Sequence, residues 1–205
     1  DRDMNYWCNN SLAIEGNYMA LRNLERTIDA YRSLAKLYRK EKDVLSFISE
    51  KEKLNLSCHG EINWIELEKG NNANDCTLFM SYDSGYLPEV NFWQEMVNRE
   101  APGCKIYWYS FAPKRELCLT NDLEKKQFDF DYCLDIQTDE IDHPLAKEFG
   151  HDSITTESNV DFEKHLRNVY GPHSLEEMVE MVKKEHFNGI HIYKVMDGSY
   201  LDTKE

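Results

Sequence analysis

Two short stretches set histidine beside carboxylate, Asp142-His143 and His151-Asp152, within one acidic run. Imidazole nitrogens and carboxylate oxygens ligate zinc or a redox-active metal, so this loop offers a metal-dependent enzyme as one functional alternative. No His-x-x-x-His spacing reinforces it, and the plainer reading is a loop whose histidines have no role. Cys58-His59 invites a thiol nucleophile with its base. Neighbours on a strand point to opposite faces, so the pair cannot meet if one strand includes both. His165, His173 and His186 lie on or beside expected helices, where surface or capping roles account for them. The chain has no Gly-x-x-x-x-Gly-Lys-Ser/Thr, no Gly-x-Gly-x-x-Gly and no Gly-x-Ser-x-Gly, which removes support for nucleotide, dinucleotide and serine-hydrolase chemistry. No catalytic, cofactor-binding or metal residue is assigned on this basis, and no cofactor is expected.

Charge points elsewhere. The 205 residues carry 38 Asp and Glu against 24 Lys and Arg, a formal charge of −14 at pH 7, which repels a phosphate backbone. Direct nucleic-acid binding is disfavoured accordingly. Between Asp129 and Asp161 lie Asp131, Asp135, Asp139, Glu140, Asp142, Glu148, Asp152 and Glu157, with Lys147 the sole base. Such a run reads as a solvated face or, more sharply, as a surface that captures a basic protein or mimics nucleic acid. On the strand Ile106–Phe111, Tyr107, Tyr109 and Phe111 share a face, the arrangement on which RNA-binding sheets stack bases. Core packing is the competing account. Asp129, Asp131, Asp135, Asp139, Glu140, Asp142, Tyr107 and Tyr109 together form the candidate interaction surface.

The composition, 41% hydrophobic and 12% aromatic, supports a real core. There is no apolar run of membrane-spanning length and no secretory leader pattern, so a cytoplasmic, membrane-free protein is expected. Six cysteines without Cys-x-x-Cys spacing read as buried free thiols in a reducing compartment. Asp1–Asp3 read as non-native residues ahead of a start at Met4.

The elements follow from periodicity. Leu12 and Ile14 alternate as a strand over 12–15. Leu21, Leu24, Ile28, Tyr31, Leu34/Ala35 and Tyr38 form one stripe of a helix over 18–40 with a basic opposite face. Asp43 caps a second helix holding Val44, Leu45, Phe47 and Ile48. Strands over 61–68 and 76–82 flank the loop Gly70–Asp75 and make a hairpin. Asp83-Ser84-Gly85 breaks the second of them. Pro88 opens a helix over 88–99, Ala101-Pro102-Gly103 stops it, and the aromatic strand spans 105–112. Pro113-Lys114-Arg115 turns into Glu116–Thr120, and Phe128–Ile136 supplies another strand. An acidic loop then runs to about Asn159. A helix with Phe162, Leu166 and Val169 follows, then a capping box at Ser174/Glu177 with Leu175, Met178, Val179 and Val182 buried. Ile190, Ile192 and Val195 suggest a last strand, and the tail beyond Asp197 is expected to fray.

The opening Met4-x-x-Trp7-Cys8-x-Asn10-x-Leu12-x-Ile14-x-Gly16 resembles the start of the Api92-like or YubB-like proteins of phages and plasmids, with Asn5-Tyr6 where that family has Pro-Asn. Phe79–Tyr109 is similar in order to the family's strand, Trp-x-x-Pro element, helix and aromatic strand, with Tyr86-Leu87-Pro88 at the Trp-x-x-Pro position. The resemblance implies a ferredoxin-like domain and brings no catalytic residues.

The element order itself, βαββαβ with one added helix, gives the same expectation: an α+β ferredoxin-like sandwich with a β-hairpin extension and C-terminal helices. The core domain is expected over 4–136, with 137–205 as an acidic loop plus a helical and strand extension packed on it. The leading functional expectation is a non-enzymatic accessory protein of a mobile element acting on a protein partner. Its narrower form is an acidic inhibitor of a nucleic-acid-binding host protein. The alternatives are the His143/His151 metal enzyme and single-stranded nucleic-acid binding through the sheet aromatics.

Overall fold

The computed structural model describes residues 7–38, 43–85, 88–138, 142–151, 153–155 and 157–202. Expectations placed on Asp1–Tyr6, Arg39, Lys40, Tyr86, Leu87, Asp139, Glu140 and Asp152 lie outside the described residues. The protein is mixed α+β and divides into two compact units. The first comprises Asp1–Arg115, Leu119–Leu123 and Asp197–Glu205, and the second comprises Glu116–Cys118 and Glu124–Met196. Among the described residues no helix is long and apolar enough to cross a membrane.

The first unit runs β1 (Trp7–Gly16), α1 (Tyr18–Tyr38), α2 (Val44–Lys51), β2 (Gly60–Lys69), β3 (Cys76–Gly85), α3 (Val90–Glu100) and β4 (Lys105–Ala112). Its strands pair in the order β2-β3-β1-β4, every pair antiparallel. One face of this sheet holds Leu12, Ile14, Leu78, Met80, Tyr82, Ile106 and Trp108 against Leu21, Leu24 and Ile28 of α1 and Phe92, Trp93 and Met96 of α3. Burial of such large apolar side chains, each worth roughly 1.5–3 kcal/mol, is the main force holding the layers together. Gly60 sits where a Cβ would lie 2.4 Å from the Asp83 carbonyl oxygen and 2.6 Å from Leu45 Cδ1. Only glycine lets β2 begin there.

The second unit contains β6 (Tyr132–Ile136), α4 (Pro144–Phe149), β7 (Ser153–Thr155), α5 (Asn159–Tyr170), α6 (Leu175–Glu185) and most of β8 (Ile190–Asp197). β6 pairs antiparallel with both β7 and β8. Leu134, Ile136 and Ile190 pack with Leu145, Phe162, Leu166, Met178 and Val182 in a second core. The Ser174/Glu177 capping box opens α6 as its spacing requires.

Several expectations are corrected. β1 begins at Trp7 rather than Leu12, and β3 runs through Asp83–Gly85 because β1 supplies it with pairing partners down to Trp7↔Gly85. Pro88 precedes α3, whose cap is Glu89 in the left-handed region at φ 53°. The strand expected over 128–136 is confined to Tyr132–Ile136. The expected acidic loop contains α4 and β7. Tyr132–Ile136 belongs to the second compact unit, since Leu134 and Ile136 enter its core. The tail is held through Asp202, which accepts a 2.7 Å hydrogen bond from Trp108 Nε1 while Gly198 lies against that indole. β5 (Leu117–Thr120) follows the 3-10 turn Pro113–Arg115, and the Thr120 hydroxyl donates to the Trp108 carbonyl oxygen at 2.7 Å.

Candidate functional site

The described carboxylates among those singled out between residues 129 and 161 have separate local roles. Asp131 accepts from Lys125 Nζ at 2.7 Å and from Asn159 Nδ2 at 2.8 Å. Burial would raise its pKa, but those two bonds hold it below the usual carboxylate range. Asp135 is 5% exposed, and burial pushes its pKa up despite a hydrogen bond from Gln137. Asp142 has a side chain 97% exposed and lies 3.0 Å from Lys147. Asp129 is exposed, and its carbonyl oxygen accepts the Asn159 amide at 3.0 Å. The run is dense in sequence, but neighbouring cations and burial break up its field.

The two histidines of that run have local partners as well. His143 Nδ1 accepts the Leu145 amide at 3.2 Å and so caps α4, and His151 Nδ1 lies 3.0 Å from the Thr138 carbonyl oxygen. Among the described residues no group of three or more His, Cys, Asp and Glu converges as a metal ligand set. Tyr107 and Tyr109 are each 4% exposed, which leaves no ring face for a base, so the stacking alternative is withdrawn.

The first unit holds two features that sequence patterning did not mark. The first lies on β2. A bulge between Ile62 and Trp64 reverses the alternation, so Ile62 enters the core while Trp64 turns to the sheet face away from the helices. Trp64 is 47% exposed, and alternation places Glu66 and Glu68 on the same face. Phe79 stands opposite Glu66, and Glu61 stands opposite Asp83. Like charges directly across a ladder are unfavourable, and burial pushes the Asp83 carboxyl up. Glu66 and Glu68 meet no cation among the described residues. The arrangement is an aromatic platform ringed by carboxylates.

The second feature is a pocket of about 420 Å³ lined by Leu56, Ser57, His59, Gly85, Pro88, Glu89, Val90, Asn91, Phe92 and Leu201. Asp43 anchors one wall. Its Oδ1 caps α2 by accepting the Ser46 amide at 2.9 Å and also accepts the Gly60 amide at 2.9 Å. Its Oδ2 lies 3.1 Å from His59 Nδ1, and the Ser46 hydroxyl donates to the Cys58 carbonyl oxygen at 2.7 Å. Burial acts to raise Asp43, but the hydrogen bonds from Gly60, Ser46 and His59 together hold it below the usual range. Asp43 thus stays ionised and orients His59, whose side chain is 66% exposed. With Nδ1 donating to Asp43, Nε2 is the ring nitrogen left open.

Glu89 lines the same pocket as His59 and is electrostatically coupled to His59 and Asp43. Burial pushes its carboxyl up to about 7, although the His59 backbone N–H donates to it and the imidazole favours its charge. Its left-handed backbone is uncommon for a residue with a Cβ. The Tyr82 hydroxyl donates to the Pro88 carbonyl oxygen and fixes the corner. Tyr82 in turn meets Trp93 edge-on at 5.2 Å. A carboxyl that titrates near neutrality beside an oriented imidazole is the combination found at binding and proton-transfer sites.

Cys58 is buried and its thiol, pushed up to about 12 by burial, donates to the Leu45 carbonyl oxygen, which ends the thiol-nucleophile reading. His59 belongs to Asp43 instead. The sequence signal that could have found this site was the Asp43 cap: a capping Asp followed by a histidine at the next strand start. No protein family, characterised protein or solved structure matches this chain.

Proposed function

We propose that this protein works by binding a basic segment of a protein partner, and that the Trp64 face of β2 and β3 is the contact. The observation that carries the reading is the exposed indole beside Glu66 and Glu68, flanked by Glu61 and Asp83. Lysine and arginine bring positive charge to those carboxylates and their stems or guanidinium planes to the indole. The net charge of −14 steers such a partner toward the protein. In its narrower form the partner is a nucleic-acid-binding protein whose basic site is occupied in place of phosphate. Placement of that activity on a mobile element rests on the resemblance of Met4–Gly16 and Phe79–Tyr109 to the Api92-like proteins. Cys8, Cys58, Cys76, Cys104, Cys118 and Cys133 form no disulfide among the described residues, which supports a cytoplasmic setting. A ferredoxin-like identity for the first unit is supported by its β2-β3-β1-β4 antiparallel order and by two helices, α1 and α3, packed on one face.

The test is a titration with a fluorescent Lys/Arg-rich peptide at low and high salt. Binding should weaken steeply with salt and fall at least tenfold in a Glu66→Lys/Glu68→Lys double variant, with Trp64→Ala also weakened. Binding that is insensitive both to salt and to these changes sinks the reading.

A further inference from the structure

The pocket at Glu89 is separate from the Trp64 face and carries its own chemistry. Its walls are apolar at Leu56, Pro88, Val90, Phe92 and Leu201. Its polar lining residues are Glu89, His59, Ser57 and Asn91, with the ionised Asp43 hydrogen-bonded to the imidazole. No lysine or arginine lines it among the described residues. The other titratable groups electrostatically coupled to Glu89 are the Cys8 and Cys58 thiols and the Tyr82 phenol, all pushed up by burial and neutral near pH 7. Nothing charged in that set opposes a cation.

We infer that this pocket binds a primary ammonium carried on an aliphatic chain, with Glu89 as its counter-ion, His59 beside it and the apolar walls holding the chain. The volume falls in the range of small-ligand sites. The argument for a cation is charge complementarity. A half-buried carboxyl resists ionisation on its own, and an ammonium in the same pocket restores the favourable charged state. Binding is therefore linked to loss of a proton from Glu89. The ammonium can belong to a free amine or to the side chain of a protein lysine, and the same carboxylate serves both.

The experiment is calorimetric titration of the intact protein with hexylamine, with a short peptide acetylated at its N-terminus and carrying one lysine with a free side-chain amine, and with hexanoate. Hexylamine or the lysine peptide should bind about tenfold more tightly at pH 8 than at pH 6, following ionisation of a carboxyl near 7. Titration at pH 7 in two buffers of different ionisation enthalpy should show release of about half a proton per amine, a readout that needs no variant. Glu89→Gln should lose at least tenfold in affinity, whereas Glu66→Lys/Glu68→Lys should bind amine unchanged, which separates this site from the sheet face. Tighter binding of the lysine peptide assigns the source as a protein side chain, and tighter binding of hexylamine assigns a free amine. Absence of binding by both at pH 8, or preferential binding of hexanoate at pH 6, overturns the inference.

Discussion

Asp131, Asp135 and Asp142 in the second unit and Asp43 and Glu89 in the first are all carboxylates of one acidic protein, yet their environments have opposite consequences. In the second unit the acid is crowded in sequence, and the fold separates it: Asp131 goes to Lys125, Asp142 to Lys147 and Asp135 into the interior. In the first unit Asp43 and Glu89 are 46 positions apart, and the fold draws both to His59. Charge density along a chain therefore says little about charge density in space. Burial and hydrogen-bond donors decide which carboxylate keeps its proton.

The sharpest way to break this comparison is to remove Asp43. Asp43→Ala leaves the Ser46 and Gly60 amides without their acceptor, uncaps α2 and releases His59. A loss of about 2–4 kcal/mol is expected in urea unfolding, above the usual cost of a cap alone. Because the folded pKa is held low, Asp43 contributes its stability above about pH 4, the range of its ordinary value of 3.8, and loses it as pH falls through the lower folded value. The deficit of the variant should accordingly shrink in strong acid. A deficit below 1 kcal/mol at pH 7 would mean that the hydrogen bonds to Asp43 are not structural.

Glu89 has the opposite sign. Its folded value, about 7, lies above its ordinary 4.5, so the folded protein keeps a proton that the unfolded chain gives up. Stability attributable to this group is intact below about pH 4.5 and is lost as pH rises toward 7. Glu89→Gln, which imitates the protonated form, should match the parent at pH 4 and exceed it at pH 8. About 1 kcal/mol is expected after allowance for solvent screening. Thermal melts at the two pH values measure it, and a variant less stable than the parent at pH 8 refutes the assignment.

Elements of both units were legible where they are written locally: Leu21, Leu24, Ile28 and Ala35 of the α1 stripe, the Asp43 cap and the Ala101–Gly103 stop in the first unit and the Ser174 cap in the second all depend on near neighbours, whereas Leu34 and Tyr38 of the expected stripe are exposed. Strand ends were not, because the extension of β3 through Gly85 is decided by pairing with Trp7–Asn9 across the sheet. The short α4 was hidden for a related reason, since its cap is a histidine, His143, rather than one of the commoner capping residues. The pocket could not be read at all. Its defining fact is burial of Glu89 beside a histidine brought from another segment, and no spacing encodes a desolvated carboxyl.

The smallest effects are expected where the sequence looked most suggestive. Asp131→Asn removes the 2.7 Å pair with Lys125, but both side chains are about 40% exposed, and such pairs contribute about 0.5 kcal/mol and weaken with salt. Asp142→Asn should give no measurable change in stability, because a carboxylate 97% exposed already has most of its hydration whether or not Lys147 lies at 3.0 Å. Asp131, held below its ordinary 3.8, gives a stability difference that fades as pH falls through the folded value. Urea midpoints at pH 7 in low and high salt, repeated at pH 3, test both. A loss for Asp142→Asn as large as that for Asp43→Ala would show that the acidic run acts as one structural cluster, and the contrast between the two units would fail.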